Sequence, residues 1–252
     1  MNKLIVGENL VKTFGQGIEK RHILGGVSVE IKEREFVSVM GPSGSGKSTL
    51  LFALSGMDEV DGGTVEFNGR KLNSLKENEL ADLRRNNIGF VFQQPILLKN
   101  LNILDNIILT SIRDNRKNAA KIIERARSLM KKTGISELEN RNITQVSGGQ
   151  LQRVGICRAL MNNPKIIFGD EPTGALNSKS AQDIMNLFSD ISTEGTAVLL
   201  VTHDARVAAQ TERILFMLDG KIVSELKLSK YGGGDIERRL SKITAKMQEI
   251  GI

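Results

Sequence analysis

The stretch Gly41-Pro42-Ser43-Gly44-Ser45-Gly46-Lys47-Ser48-Thr49 meets the pattern G-x-x-x-x-G-K-[ST] at every required position. Before it, Phe36-Val37-Ser38-Val39-Met40 reads as a buried strand, and after it Ser48 to Leu54 reads as a helix. The glycines let the backbone curl without Cβ clashes, so that successive N–H groups and the helix N-terminus point at one anion. Lys47 adds a point charge for terminal phosphates, and the Ser48 hydroxyl is placed to ligate Mg²⁺, a hard cation that takes oxygen ligands. The stretch predicts binding of a nucleoside triphosphate. A bare Gly/Ser-rich linker would not be framed by a strand and a helix in this order.

Downstream, Ile166-Ile167-Phe168-Gly169-Asp170-Glu171 reads as an apolar strand that delivers two adjacent carboxylates at its C-terminal end, where open parallel sheets bind ligands. Asp170 is suited to hold Mg²⁺ directly or through water. Glu171 is suited to polarise a water for in-line attack. A surface acidic pair is the plainer reading, but four largely apolar residues lead into it. Hydrolysis is therefore expected, not binding alone.

The rest of the chain supplies an α/β frame. Leu4 to Leu10, Val27 to Ile31 and Thr64 to Phe67 read as strands with turns at Asp61-Gly62-Gly63 and Asn68-Gly69, a small antiparallel β-subdomain. Ile88 to Phe92, Ile166 to Phe168 and Ala197 to Val201 are short apolar β-branched runs expected in a mostly parallel sheet covered on both faces. From about residue 94 to 145 the pattern turns helical, with Ile122, Ile123, Ala126, Leu129 and Met130 on one face, and an inserted helical subdomain is expected. Past Gly232-Gly233-Gly234, residues Ile236, Leu240, Ile243, Met247 and Ile250 recur at helical spacing. The expected division is a nucleotide domain over 1–228 and an extension over 229–252 with an amphipathic helix docked on its own domain.

Composition narrows the surroundings. The chain has 252 residues, 40% hydrophobic and 25% charged, enough for one large domain or a core with a smaller subdomain. No apolar run approaches the roughly 18 residues of a spanning helix, and no signal peptide is read, so a cytoplasmic protein is expected. The single cysteine, Cys157, excludes an internal disulfide and reads as a packed helix position. A net charge of +6 is too diffuse to choose between nucleic acid and an anionic membrane surface. With one Tyr and no Trp, stacking platforms for single-stranded bases are scarce, and no nucleic acid is expected.

Three further pieces join the two motifs: Val146-Ser147-Gly148-Gly149-Gln150, Gln93 after Phe90-Val91-Phe92, and His203 in Val201-Thr202-His203-Asp204. Each alone is weak. In this order they are specific, and the chain resembles the ATP-binding subunit of ABC transporters over nearly its entire length. The resemblance implies a P-loop NTPase core with ATP and Mg²⁺ as ligands. It places Phe14 against adenine, Gly41 to Thr49 around the phosphates, Ser48, Gln93 and Asp170 at Mg²⁺, and Glu171, His203, Gln93 and Lys47 in catalysis. His203 would bond the γ-phosphate in the transition state, and Gln93 would report its state to the helical subdomain. Ser147, Gly148, Gly149 and Gln150 would contact the ATP of a second copy, so two chains would meet head to tail with shared sites.

Two positions depart from the family's pattern. Gly174-Ala175-Leu176-Asn177 has Asn where Asp is usual, keeping an acceptor oxygen but losing the charge, and Gly169 replaces the commoner Ala with little expected consequence. Glu171-Pro172-Thr173-Gly174-Ala175-Leu176 and the charged insertion Gln16 to His22 look like the exporter-type group that handles lipoproteins, macrolides and antimicrobial peptides. Asn177-Ser178-Lys179-Ser180 and the extension beyond Leu228 are most similar to resistance subunits of the bacitracin and lantibiotic type. An integral-membrane permease is then the implied partner, holding the chain at the inner face of the membrane. A soluble family member of DNA maintenance or translation is the rival, yet no sustained heptads or tandem cassettes are present. A P-loop GTPase switch or small-molecule kinase would leave Ser147 to Gln150 unexplained.

Overall fold

The computed structural model describes residues 2–15, 21–112 and 116–252. Residues 16–20 of the charged insertion Gln16 to His22 lie outside the described residues. In chain order the strands are β1 Lys3–Phe14, β2 Arg21–Lys32, β3 Phe36–Met40, β4 Gly62–Phe67, β5 Arg70–Lys71, β6 Ile88–Phe92, β7 Ile166–Asp170, β8 Ala197–Thr202, β9 Arg213–Leu218 and β10 Lys221–Lys227. The helices are α1 Lys47–Leu54, α2 Glu77–Asn87, α3 Ile103–Ile112, α4 Ala119–Lys132, α5 Gly148–Leu160, α6 Ser178–Thr193, α7 Ala205–Ala208 and α8 Ile236–Glu249.

Two sheets result. One is antiparallel, in the order β2-β1-β4-β5; the other runs β10-β9-β3-β8-β7-β6, with β9, β3, β8, β7 and β6 parallel and β10 antiparallel on its edge. The continuous apolar runs of β3, β7 and β8 are buried on both faces, as parallel strands between helical layers must be. Alternation sorts their side chains. Val37, Val39, Ile166, Phe168, Leu199 and Val201 join Leu50, Leu51 and Leu54 of α1 and the inner faces of β1 and β2 in one core. Phe36, Ile167, Val198 and Leu200 face the other way, onto α3, α4, α5 and α6.

Strands β1 and β2 run longer than their apolar stretches. Register shifts between Gly7 and Leu10 and between Leu10 and Val11 interrupt the alternation, and Asn9 sits at φ 50° inside β1. In the region expected to be helical, α3 and α4 pack with α5 through Ile107, Ala126, Leu129, Met130 and Ile156, while Ile122 and Ile123 are half-buried against the same cluster. Helix α8 lays Ile243 against Met40, Ala208, Ala209, Ile214 and Phe216, with Ile236, Leu240, Met247 and Ile250 beside it. No helix among the described residues is long and apolar enough to cross a membrane.

At Gly169 a Cβ would come within 2.5 Å of Leu200 Cδ2 and 3.2 Å of Pro172 Cγ, so an alanine there asks the flexible end of the Leu200 side chain to shift.

Candidate functional site

Because β3, β8, β7 and β6 are parallel neighbours, their C-terminal ends lie side by side, and the groups singled out in the sequence follow those ends. After β3 comes the glycine-rich loop, after β8 His203, at the end of β7 Asp170 and Glu171, and after β6 Gln93. Phe14, Ile23, Ser43, Gly44, Gly46, Lys47, Ser48, Thr49, Glu171 and His203 line one cleft of about 600 Å³.

The loop is shaped by Gly46, which precedes α1 at φ 97°, and a Cβ there would lie 2.6 Å from the Ile23 carbonyl oxygen. Only glycine serves both the left-handed turn and the close approach. Lys47 Nζ curls back to donate to the Gly41 and Pro42 carbonyls at 2.9 and 2.8 Å. Burial pushes its ammonium below the ordinary lysine range, opposed by the carboxylates of Glu171 and Asp170. Ser45 Oγ is buried inside the loop and has no hydrogen-bond partner among the described residues. Ser48 Oγ donates to Asp170 Oδ1 at 2.8 Å, which joins the start of α1 to the end of β7. Burial lifts the Asp170 carboxyl above its usual range; the Ser48 bond and Lys47 pull it back, and Glu171 adds to the rise.

Glu171 stands at φ 45°, and its N–H donates to the Val201 carbonyl at 3.0 Å. That turn swings its side chain out of line with the strand, where Oε1 meets His203 Nδ1 at 2.9 Å. Gln93 is exposed, and its Nε2 stands 2.8 Å from the Cβ that any other residue at Gly174 would carry. Both Gln93 and Glu171 thus press on the same bare backbone. Phe14 is 50% exposed at the cleft, with Lys12 Nζ 5.3 Å from its ring centroid.

Ser147, Gly148, Gly149 and Gln150 do not line this cleft. Ser147 caps α5: its Oγ accepts from the Gln150 N–H at 3.3 Å while Gln150 Oε1 accepts from the Ser147 N–H at 2.8 Å. Nearby, Leu176 is 3.8 Å from a Cβ placed on Gly148, and Ser180 Oγ is 3.2 Å from one on Gly149. Asn177 has a second task the sequence did not show: its Oδ1 accepts from the Ser180 N–H at 2.9 Å and caps α6. The sequence reading also missed Ile23 at the cleft and Arg239 in α8. Arg239 carried a signal, since it falls among Ile236, Leu240 and Ile243 on the apolar face.

Comparison with known proteins agrees with this geometry. The family model described as ABC transporter matches residues 24–174. The bacitracin export ATP-binding protein BceA of Halalkalibacterium halodurans is 38% identical over 225 residues, 88% of this chain and 88% of its own. The uncharacterized ABC transporter ATP-binding protein MJ0796 of Methanocaldococcus jannaschii is 45% identical over 229 residues, 89% of this chain and 97% of its own. Its dimeric structure in a post-hydrolysis state with ADP and Pi superposes with a TM-score of 0.83, covering 90% of this chain and 100% of that one. The macrolide export ATP-binding/permease protein MacB of Pasteurella multocida is 40% identical over 222 residues, which are 88% of this chain and only 34% of MacB. With a phosphate-loop cleft on a parallel sheet and likeness of this extent, the chain belongs to the ABC transporter family.

Proposed function

We propose that this chain is the ATP-hydrolysing subunit of an exporter-type transporter of the bacitracin-resistance kind, in which two copies close head to tail on MgATP and drive an integral-membrane permease. The observation that carries the reading is the meeting of Lys47, Ser48, Asp170, Glu171 and His203 at the C-terminal ends of β3, β7 and β8.

Lys47 and the N–H groups ahead of α1 hold the terminal phosphates. Among the described residues no cluster of three His, Cys, Asp or Glu side chains makes a self-contained metal site. The oxygens of Ser48 and Asp170 fit Mg²⁺, which draws its other ligands from phosphate and water. Bound Mg²⁺ neutralises charge on the phosphoryl group. Glu171 takes the proton of the attacking water on its carboxylate, and His203, whose Nδ1 meets Glu171 Oε1, reaches a phosphate oxygen through Nε2 as the imidazolium, in which both ring nitrogens donate. Gln93, against Gly174, couples the site to the region ahead of α3, and Phe14 stacks on adenine.

Ser147 to Gln150, at the exposed start of α5 and away from the chain's own cleft, are assigned to the ATP of the second copy. The permease is assigned to a groove of about 750 Å³ lined by Met57, Phe90, Phe92 and Leu109, with Arg84 and Arg158 at its walls. An amphipathic permease segment carrying acidic residues fits that chemistry, and through it the chain sits on the inner face of the membrane. MacB supports a macrolide-exporter alternative, but the likeness to BceA runs through most of both proteins and favours the peptide-antibiotic reading.

The test is purification from detergent-solubilised native membranes. A co-eluting integral-membrane permease and ATP hydrolysis are expected; recovery with ribosomes or DNA-repair proteins instead would overturn the reading.

A further inference from the structure

Helix α8 is held by more than its apolar face. Arg239 is 2% exposed, and its guanidinium spreads over three backbone carbonyls: Nε donates to Ala209, Nη2 to Thr211 at 2.7 Å and Nη1 to Ser229 at 2.8 Å. Tyr231 covers the group with its ring centroid 5.3 Å away, and the Asp235 carboxylate is 3.7 Å off. Burying a guanidinium is costly, and an apolar residue on the same stripe would seat the helix more cheaply. What the guanidinium adds is direction, because its planar fork fixes three points of backbone at once.

Those points bear on the cleft. Ala209 ends α7, the single turn that begins two residues after His203 with Asp204 as its cap. Thr211 is tied to the central sheet, its Oγ1 3.0 Å from Ser38 Oγ of β3, two residues before the Met40 that opens the phosphate loop. Ile243, one turn further along α8, packs on Met40, Ala208 and Ala209 together. One helix thus touches the foot of the phosphate loop and the helical turn that follows His203.

We propose that Arg239 is a positioning residue, and that through it α8 braces the His203 turn against the foot of the phosphate loop at the spacing turnover needs. The proposal rests on reading the cleft as the triphosphate site. Displacements of about 1 Å in a reacting constellation cost on the order of a hundredfold in rate. ATP binding depends mainly on the loop and α1, which Arg239 does not touch, so the brace acts on kcat and leaves affinity alone.

The experiment uses the full-length chain with Arg239→Met and the milder Arg239→Lys, which keeps stem and charge but not the fork. Bound ADP per chain, ADP affinity, per-site ATP turnover and amide exchange by mass spectrometry are measured for each. ADP stoichiometry and affinity within about twofold of wild type are expected, with kcat at least about tenfold lower. Exchange should quicken at residues 205–211 and stay unchanged in α1. Should Arg239→Met fail to fold, Arg239→Lys carries the test. Wild-type turnover per site in Arg239→Lys overturns the brace, as does faster exchange throughout the chain with loss of ADP binding, the mark of a merely structural role. A wild-type chain that binds no nucleotide removes the triphosphate reading and the brace with it.

Discussion

Glu171 occupies a left-handed conformation at φ 45°, which costs a residue with a side chain on the order of 1 kcal/mol or more. The conformation is held by the Val201 carbonyl, and the other cleft residues that share a positive φ, Gly44 and Gly46, carry no Cβ to strain. Asp170 bears a second cost. Its carboxyl is raised by burial, so between the unfolded and folded pKa the folded chain binds more protons, and stability falls as pH climbs through that window. Above that window the penalty is present in full. Asp170→Asn is therefore expected to raise the Tm of the nucleotide-free protein at pH 7 by about 2 °C or more, with the gain shrinking as pH falls into the carboxylate range. The amide still accepts from Ser48 Oγ, so the bond at the head of α1 survives. Thermal unfolding at several pH values checks it: a lower Tm for Asp170→Asn at pH 7 would contradict the assignment of Asp170 as a charge the fold tolerates for its ligand.

At the scale of elements, the strands that carry the site were legible because two-sided burial writes continuous apolar runs, as at Phe36 to Met40 and Ile166 to Phe168. Strands β9 and β10 and helix α6 were not anticipated. β10 alternates exposed and half-buried residues in a stretch rich in Lys and Glu, and its place is set by pairing with β9, a tertiary fact. The motif residues were legible because phosphate chemistry demands fixed spacing. The Glu171–His203 contact and the Arg239 clamp were not, since each joins groups that only the folded sheet brings together. Asn177 belongs to this scale as well. Its oxygen already caps α6, so the exposed arm of the side chain offers N–H donors where an aspartate would offer a second acceptor. Asn177→Asp keeps the cap and adds a negative charge at a helix N-terminus, a stabilising change of about 0.3–1 kcal/mol. If the loop faces the phosphate loop of a second copy, that acceptor strengthens the link between sites. Steeper dependence of hydrolysis on ATP concentration is expected for Asn177→Asp, with Tm unchanged or raised. Superimposable curves would show that position 177 does not couple the sites.

For the whole molecule, the proposed reading gives one chain half of each of two sites: a cleft at the C-terminal ends of β3, β7 and β8 and, away from it, the exposed start of α5. Two copies related by a twofold axis would place each half against the other. Lys47→Ala removes the ammonium from the chain's own cleft. Gly148→Asp spoils what the chain offers its neighbour, by bulk and negative charge, yet should fold, because a Cβ there meets only Leu176 at 3.8 Å. The most direct measurement is therefore ATP hydrolysis by each variant alone and by an equal mixture. The account predicts that each alone is nearly inactive and that the mixture recovers hydrolysis, up to about a quarter of the wild-type site number when chains pair at random. Undiminished hydrolysis by Gly148→Asp on its own would contradict sites shared between two copies.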